Sequence, residues 1–249
     1  EDPARIMRAF SFAAMLAFRI DPRTLTVLAA KRRQVRLVAA ERLRDEFFRL
    51  LSSGQASLWV REMDRRGVAD LLLPEIKSMK KTCRSGKNGF NVWEHSLGTL
   101  EHLERILRRS KRDPAVHAYC TRQVSSGRSM AGLMRLAALV HDVGKPKTLR
   151  IEKGKISFYG HERVGSRLAQ EIAERLKLSH DEARMLRRLT FLHLRPGYLV
   201  TVPVLTSRAT FRFFRDAQQE SVAVLLLALA DQRATGHYHL LQGCRSTYE

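Results

Sequence analysis

The chain has 249 residues, with 45 Lys and Arg against 25 Asp and Glu, which gives a formal net charge of +20. Its hydrophobic content of 44% predicts a globular protein and excludes wholesale disorder. The longest apolar run, 222–230, is too short to cross a bilayer, and arginines interrupt the first twenty residues, which excludes a signal peptide. Because the first residue is not Met, we interpret the sequence as a piece of a longer protein.

The cysteines indicate the compartment. There are three of them, with no CxxC pair: Cys83, Cys120 and Cys244. This pattern argues against a disulfide framework and against a zinc ribbon, and it favours a reducing environment. We therefore predict a cytoplasmic protein with no membrane partner.

The positive charge is spread over most of the chain rather than held in a tail. Arg outnumbers Lys by 34 to 11, and guanidinium groups bind phosphates through paired hydrogen bonds. The composition therefore favours a nucleic-acid partner. A coding sequence rich in G and C, which favours Arg codons, is the alternative explanation.

Apolar spacing predicts helices through nearly the whole chain. Asp2-Pro3 and Asp21-Pro22 each place a capping residue before a proline, which is typical of a helix start. The expected helices lie at about 3–17, 22–33, 39–52, 57–66, 92–109, 130–141, 161–177, 180–193, 207–218 and 220–235. Residues 110–130 contain Pro, Ser and Gly, which predicts short helical pieces and loop.

Two further segments complete the predicted organisation. Residues 148–158 alternate around Lys153-Gly154, which is the only hairpin signal. Residues 77–91 are basic and rich in Gly, Ser and Asn, which predicts a loop at a domain boundary. We therefore predict an all-α fold with one small β-hairpin, divided into a helical neck or body at 1–76 and a second helical domain at 77–249.

The strongest chemical signal is His141-Asp142, at the end of an apolar predicted helix. Adjacent helical residues point about 100° apart, so both side chains can reach one ion at the helix end. Other candidates lie on separate predicted helices: His95, His161, His193 and Asp231. Mixed imidazole and carboxylate ligands suit Mg, Mn, Fe, Ni or Zn. Each residue taken alone is also explained as a hydrogen-bonded core histidine or a helix cap.

The order of these residues resembles the HD phosphohydrolase superfamily. Its signature is a His, then a His-Asp doublet, then a distant Asp, and here these positions are His95, His141-Asp142 and Asp231. The segment 141–146, His-Asp-Val-Gly-Lys-Pro, resembles the doublet with its following Gly-Lys. The resemblance implies a divalent metal ion held by these residues. The extra His161 and His193 are similar to those of two-metal members, so one or two ions are expected, although both could instead contact substrate phosphate.

The chemistry that such a site performs follows from its ligands. A divalent ion lowers the pKa of bound water from 15.7 towards about 7, so that hydroxide is available to attack phosphorus in line. We expect Asp142 and Lys145 to be the catalytic residues, with Lys145 stabilising the charge that develops on the phosphoryl group. The alternative for Lys145 is a solvated side chain after a helix end.

The first helix resembles a second family. Glu1-Asp2-Pro3-Ala4-Arg5 is similar to the EDxxR motif of bacterial CCA-adding tRNA nucleotidyltransferases and poly(A) polymerases, and residues 8–12 are similar to its RAxRF segment, with Ser11 in place of Arg. The resemblance assigns Asp2, Arg5 and Arg8 to nucleotide binding, because a donor and an acceptor on one helix face can pair with a base edge. The alternative is a capped amphipathic helix with Arg5 in solvent.

Similarity to this family continues, in order, through nearly the whole chain, up to the segment that ends at Asp231. The family's catalytic head carries a Gly-Gly loop and an Asp-x-Asp metal pair, and neither occurs in this sequence. The resemblance implies a neck and HD portion that binds RNA 3′ ends, tRNA among them, and takes ATP or CTP only if a head is supplied. The sequence does not decide between CCA addition and poly(A) addition. Two alternative functions are a stand-alone HD hydrolase that acts on nucleotides and a non-catalytic RNA-binding body. The sequence does not indicate an oligomeric state.

Two basic segments could contact RNA directly. The loop 80–87 holds four basic residues and could follow a phosphate backbone, or it could simply be solvated. Residues 211–215, Phe-Arg-Phe-Phe-Arg, interleave aromatic and basic side chains as base-stacking sites do. We favour the alternative for this second segment, in which the phenylalanines lie in the core and the arginines face outwards.

Overall fold

A computed structural model describes residues 2–83, 91–125, 127–153 and 155–235. Within these ranges the structure is helical, with two hairpins. The helices are α1 Arg5–Leu16, α2 Pro22–Lys31, α3 Ala40–Ser52, α4 Ala56–Arg65, α5 Ala69–Leu72, α6 Ile76–Lys81, α7 Val92–Arg109, α8 Pro114–Thr121, α9 Met130–Val140, α10 Lys145–Thr148, α11 His161–Arg175, α12 His180–Leu192, α13 Arg195–Thr201, α14 Ser207–Ala217 and α15 Ser221–Thr235. The strands are β1 Gln123–Ser125, β2 Arg128–Ser129, β3 Arg150–Glu152 and β4 Lys155–Ser157, and short 3-10 helices cover Arg32–Leu37, Ser110–Arg112 and Gln218–Glu220.

Side-chain caps fix where several helices begin. The Asp21 carboxylate accepts hydrogen bonds from the backbone N–H groups of Arg23 and Thr24, at 2.9 and 3.2 Å, with Pro22 as the first residue of α2. At α12, Ser179 and Glu182 form a reciprocal capping box. These contacts satisfy backbone donors that the first turn of a helix leaves without partners. The predicted all-α class is confirmed, and most predicted helix ends lie within two residues of the observed ones.

The buried hydrophobic side chains form one continuous cluster that runs from α1 to α15. Helix α7 lies at its centre and packs against α4, α6, α9 and α15. Trp93 on α7 is fully buried, and its indole Nε1 donates a hydrogen bond of 3.0 Å to Asp64. The core is therefore shared by residues on both sides of position 76, and the division into domains at 1–76 and 77–249 stays a prediction.

The structure differs from the sequence prediction in the number of hairpins. The expected hairpin is present as β3 and β4, paired Arg150 with Ser157 and Glu152 with Lys155. A second antiparallel pair, β1 with β2, lies where only helical pieces and loop were predicted. The predicted hairpin is therefore confirmed, and the second one was not predicted because strands of three and two residues are too short to show alternation.

Two predictions made from the sequence need correction: the burial of the phenylalanines at 211–215 and the extent of the loop at 77–91. Of the three phenylalanines at 211–215, only Phe213 is buried, whereas Phe211 and Phe214 are 66% and 51% exposed. Phe211 and Phe214 are three residues apart and so lie on one face of α14, which is exposed, whereas Phe213 lies on a different face and reaches the core. Helix α6 occupies part of the predicted loop at 77–91. Residues 84–90 of the basic loop at 80–87 lie outside the described residues, as does Gly154 of the hairpin turn.

The described helices are also informative about membranes. In the ranges that the structure describes, no helix has both the length and the apolar character that a membrane crossing requires.

Candidate metal centre

Six predicted ligands come together at one place in the core. They come from five parts of the chain: His95 on α7, His141 and Asp142 directly after α9, His161 at the start of α11, His193 directly after α12, and Asp231 on α15. Five of the six side chains are buried, and Asp231 is partly buried. Helix α9 is buried along almost its whole length, so the His-Asp pair emerges deep in the molecule rather than at its surface.

The Asp142 carboxylate lies at the centre of the cluster. Its Oδ2 is 3.4 Å from His141 Nε2 and 3.6 Å from His95 Nε2. Its Oδ1 is 3.3 Å from His161 Nε2 and 3.7 Å from His193 Nε2. One carboxylate therefore faces four imidazole rings, two on each of its oxygen atoms.

Asp231, on α15, is the second carboxylate of the cluster. Its Oδ1 is 2.7 Å from His95 Nε2 and 3.6 Å from His141 Nε2. Three overlapping groups of ligand atoms fit within 4.8 Å of one another. They are His95 with His141 and Asp142, His141 with His193 and Asp231, and Asp142 with His161 and His193. The first and third groups share only Asp142.

Three of the histidines have the same hydrogen-bonding pattern. Nδ1 of His141, His161 and His193 donates to a backbone carbonyl three residues earlier, at 2.9, 2.8 and 2.7 Å. Donation from Nδ1 fixes the tautomer in which Nε2 carries a lone pair. The Nε2 lone pair of each ring is thereby directed into the cluster.

The facing atoms are not satisfied by the protein. Nε2 of His141, His161 and His193 and Oδ1 of Asp142 are buried and make no hydrogen bond of acceptable geometry with the described residues. Lone pairs of imidazole and of carboxylate that face each other at 3.3–3.7 Å repel unless a cation lies between them. The donor set therefore fits a divalent metal ion bound through imidazole nitrogen and carboxylate oxygen.

The pKa values of the histidines and aspartates also indicate that the cluster binds positive charge. Burial lowers the pKa of His95 to about 4. Burial also acts to lower the pKa of His141, but the carboxylates of Asp142 and Asp231 outweigh it and raise the value to about 9. For both carboxyls burial acts to raise the pKa, yet Lys145 and His141 beside Asp142, and His141 and His95 beside Asp231, hold the values well below their usual range. A proton on His141 supplies positive charge that a metal ion would otherwise supply.

Lys145 belongs to the same cluster. Its Nζ donates to Asp142 Oδ2 at 2.6 Å and lies 5.5 Å from the centre of the Phe158 ring. The side chain is buried, so the alternative of a solvated lysine after a helix end is wrong. Lys145 also lines an open cavity of about 630 Å³ together with His161, so this cavity reaches the edge of the cluster.

Gly144 allows the His-Asp turn to approach α11 closely. A Cβ atom at this position would lie 2.2 Å from the backbone oxygen of His161 and 2.6 Å from the backbone nitrogen of Gly165. Any side chain at position 144 would therefore push α11, and His161 with it, away from Asp142.

The aromatic residues that line the cavity were not predicted from the sequence. Phe158, Tyr159 and Tyr198 line it, and Tyr159 is 85% exposed. Single aromatic residues in a hairpin end and in a short helix give no pattern that marks them as functional. Only the packing of α13 against α15 and α14 in the folded chain brings Tyr198 to the cavity that His161 lines.

The predicted nucleotide-binding residues lie on or just before α1. Asp2 pairs with Arg42 at 2.6 Å, and this hydrogen bond holds the pKa of Asp2 below its usual value. Arg8 Nε lies 3.4 Å from the buried Glu46. Arg5 is exposed, and its guanidinium group has no hydrogen bond or ion pair with any residue that the structure describes. No hydrogen bond or ion pair among the described residues joins Asp2, Arg5 or Arg8 to the metal cluster.

Comparisons with known proteins agree with this geometry. The model of the HD domain family matches residues 92–236, and a model described as the probable RNA and SrmB-binding site of polymerase A matches residues 17–80. The chain belongs to the HD domain family and to the bacterial tRNA nucleotidyltransferase and poly(A) polymerase family. The family prediction made from the two motif sets is thereby confirmed.

Relatives with curated names support the same assignment. The A-adding tRNA nucleotidyltransferase of Deinococcus radiodurans is 32% identical over 94% of this chain and 49% of its own length. The CC-adding tRNA nucleotidyltransferase of Thermus thermophilus is 28% identical over 94% of this chain and 50% of its own length. The chain thus spans about half the length of the curated relatives it matches.

Solved structures share the fold. A CCA-adding enzyme in an apo form superposes with a TM-score of 0.56 at 17% identity, over 98% of this chain and 48% of that one. A Thermotoga maritima CCA-adding enzyme complexed with tRNA gives a TM-score of 0.52 at 18% identity, over 100% and 50%.

Proposed function

We propose that the histidine and aspartate cluster is a metal-dependent phosphohydrolase site, which cleaves phosphomonoesters or 2′,3′-cyclic phosphodiesters at RNA or nucleotide ends. The observation that carries the proposal is the set of buried Nε2 atoms of His141, His161 and His193, which face the Asp142 carboxylate and have no hydrogen-bond partner of good geometry among the described residues. Such a set is suited to a cation.

The residues of the cluster have separate roles in this proposal. His95, His141, Asp142 and Asp231 would hold one divalent ion, and His161 and His193 would complete a second site with Asp142. The bound ion, whether Mg, Mn, Ni, Fe or Zn, would supply hydroxide at neutral pH and withdraw charge from the phosphoryl group.

The protein's own groups would then prepare the substrate. Because the pKa of Asp142 is held well below its usual range, this carboxylate stays ionised and acts as a ligand and an anchor, not as a proton store. Lys145, held by Asp142 at the edge of the cavity, would place an ammonium group beside a phosphoryl oxygen and stabilise the negative charge that develops there.

We also propose that the amino-terminal helices bind RNA 3′ ends, tRNA included. The match of residues 17–80 to an RNA-binding family model and the net charge of +20 support this. Of the three residues assigned to nucleotide binding, Arg5 is the one whose guanidinium group is available in the structure, whereas Asp2 and Arg8 would have to exchange their ion pairs for a base edge. Nucleotide addition with ATP or CTP, to CCA or poly(A) ends, would need a catalytic head in addition to this sequence, and a cytoplasmic location stays a prediction.

The hydrolytic proposal is tested with the purified chain and 2′,3′-cyclic nucleotides across a panel of divalent ions. We expect hydrolysis that depends on the metal and that His141→Ala abolishes. The matched control is His180→Ala, because His180 is exposed at the start of α12 and has no hydrogen bond or ion pair with a described residue. Hydrolysis that survives His141→Ala in a folded protein would contradict the metal assignment.

A second candidate function is an RNA-binding body whose HD cluster is structural. The observation that favours it is the ion pair of Lys145 with Asp142, which supplies positive charge to the cluster without a metal. This alternative predicts RNA affinity that falls steeply with salt and no turnover with any divalent ion.

A further inference from the structure

A groove rich in arginine lies beside the metal cluster, on the surface formed by α11, α12 and the end of α14. Its volume is about 680 Å³. Six of the side chains that line it are arginines: Arg163, Arg167, Arg184, Arg187, Arg188 and Arg215. Asp216 is the one acidic residue among the described residues of this lining, so the groove carries a large excess of positive charge. We refer to it as the arginine groove.

Half of these arginines are neutralised by partners within the protein. Arg184 pairs with Asp181, Arg188 with Glu220 and Arg215 with Asp216. The other half, Arg163, Arg167 and Arg187, are exposed, and their guanidinium groups make no hydrogen bond or ion pair with any described residue. Three unpaired guanidinium groups on one face repel one another, and an anionic ligand would relieve that repulsion.

Helix geometry gives the groove a direction. Helices α11 and α12 are antiparallel, because the ring of His161 at the start of α11 lies 5.5 Å from the ring of His193 just after the end of α12. Arg163 and Arg167 are one turn apart on α11, about 6 Å along its axis. Arg187 lies one turn before Phe191 on α12. The unpaired guanidinium groups therefore follow the two helices towards the metal cluster.

The arginine groove and the cavity over the cluster share part of their lining. Phe191 and Leu192 line both, and the cavity continues from them to His161 and Lys145. Phe191 is 42% exposed, so its ring is accessible to a ligand at the junction of the two spaces. A positively charged groove with an exposed aromatic ring is the arrangement by which proteins bind single-stranded nucleic acid, with phosphates on the charges and a base on the ring.

We propose that the arginine groove binds the single-stranded RNA segment that precedes the phosphoester undergoing hydrolysis, and so directs the HD site to RNA ends in preference to mononucleotides. Phosphates would contact Arg163, Arg167 and Arg187, a base would stack on Phe191, and the terminal phosphoester would lie at His161 and Lys145. This inference rests on the proposed hydrolytic function and names its substrate class.

The length of the groove supports an oligonucleotide. From Arg184 to His193 the path along α12 measures about 13 Å at the helical rise of 1.5 Å per residue. A mononucleotide whose phosphate lies at the metal cluster occupies the cavity and leaves the far part of the groove empty. A chain of several nucleotides occupies both spaces.

The test compares a short oligoribonucleotide that ends in a 2′,3′-cyclic phosphate with the corresponding cyclic mononucleotide. The variant combines Arg163→Gln, Arg167→Gln and Arg187→Gln. The matched control combines Arg108→Gln, Arg109→Gln and Arg112→Gln, three exposed arginines at the end of α7 and just after it that likewise have no partner among the described residues. Circular dichroism and thermal melting establish that both triple variants are folded.

We expect the groove variant to lose kcat/KM for the oligoribonucleotide and to keep the wild-type value for the mononucleotide. When the association constant is plotted against salt concentration on logarithmic axes, loss of three phosphate contacts makes the slope shallower by about 2. This change corresponds to roughly 50-fold weaker binding of the oligoribonucleotide at about 0.15 M salt. The control variant is expected to treat the two substrates as the wild type does. Equal loss on both substrates, or no loss on either, would overturn the proposal.

Binding measurements separate this inference from the hydrolytic function on which it rests. If the wild type hydrolyses neither substrate with any divalent ion, the hydrolytic proposal fails. The arginine groove is then judged by fluorescence anisotropy of the same oligoribonucleotide across a salt series. An unchanged salt slope in the groove variant, relative to the control variant, would show that the groove does not bind RNA.

Discussion

Replacement of Gly144 by Ala should destabilise the protein and weaken metal binding together. The added Cβ would lie 2.2 Å from the backbone oxygen of His161 and 2.6 Å from the backbone nitrogen of Gly165. Both neighbours are backbone atoms, so no side-chain rotation can relieve the contact, and the start of α11 has to move. Overpacking of this kind costs about 1–3 kcal/mol, and we expect the upper part of that range. Because His161 moves with α11, metal affinity should fall about tenfold or more.

Gly54→Ala is the matched control for this prediction. Gly54 is exposed, and a Cβ atom there would have no other heavy atom within 4 Å. Urea unfolding measures the free energy of unfolding of both variants, and calorimetric titration with Mn²⁺ measures their metal affinity. We expect Gly54→Ala to match the wild type in both. If the free energies of unfolding of Gly144→Ala and Gly54→Ala differ by less than about 0.5 kcal/mol and the two variants bind metal equally tightly, the turn at Gly144 does not approach α11 as closely as described.

The remaining predictions concern stability. Burial acts to raise the pKa of Glu182, but hydrogen bonds from Arg128 and from Ser179 outweigh it and lower the pKa. The ion pair of Arg128 with Glu182 therefore stabilises the fold above about pH 4.5, and its contribution is lost as the pH falls through the lowered pKa. Glu182→Gln should cost about 3 kcal/mol at pH 7, and urea unfolding should show the difference from wild type shrinking at acid pH; a difference that does not depend on pH would contradict the ion pair. Phe10→Ala should cost about 3–5 kcal/mol because Phe10 is fully buried, whereas Phe18→Ala, at a residue 64% exposed, should cost little. Equal losses for the two phenylalanine variants in the same unfolding assay would contradict the placement of α1 in the core.

The sequence predicted the helices well where local signals are strong. Asp21 before Pro22 is a capping pattern that acts within a few residues, and this cap is present in the structure. The hairpin of β1 and β2 was not predicted because its strands are too short to show alternation and because β2 is held by packing against α3 and α9. Phe211 and Phe214 were assigned to the core because their composition is apolar, but the core that α14 contacts accepts only Phe213.

The site was predictable to a similar degree. The types and order of the six candidate ligands are visible in the sequence, because His-Asp after an apolar helix is unusual in a core. Their convergence on Asp142 is a property of the packing of α7, α9, α11, α12 and α15, and so is the pairing of Lys145 with that carboxylate. The arginine groove was not visible at all, since Arg163 and Arg187 belong to helices whose antiparallel packing brings them to one face only in the folded chain.

Metal binding by the cluster is the claim on which the proposed hydrolytic function depends, and titration of metal-free protein with Mn²⁺ in a calorimeter tests it most directly. The account predicts saturable binding of one or two ions per chain by the wild type. It predicts the same binding by His180→Ala and its loss in Asp142→Asn, a variant of nearly the same shape that removes the central negative charge. Binding that is absent from the wild type, or that is unchanged in a folded Asp142→Asn protein, would contradict the account.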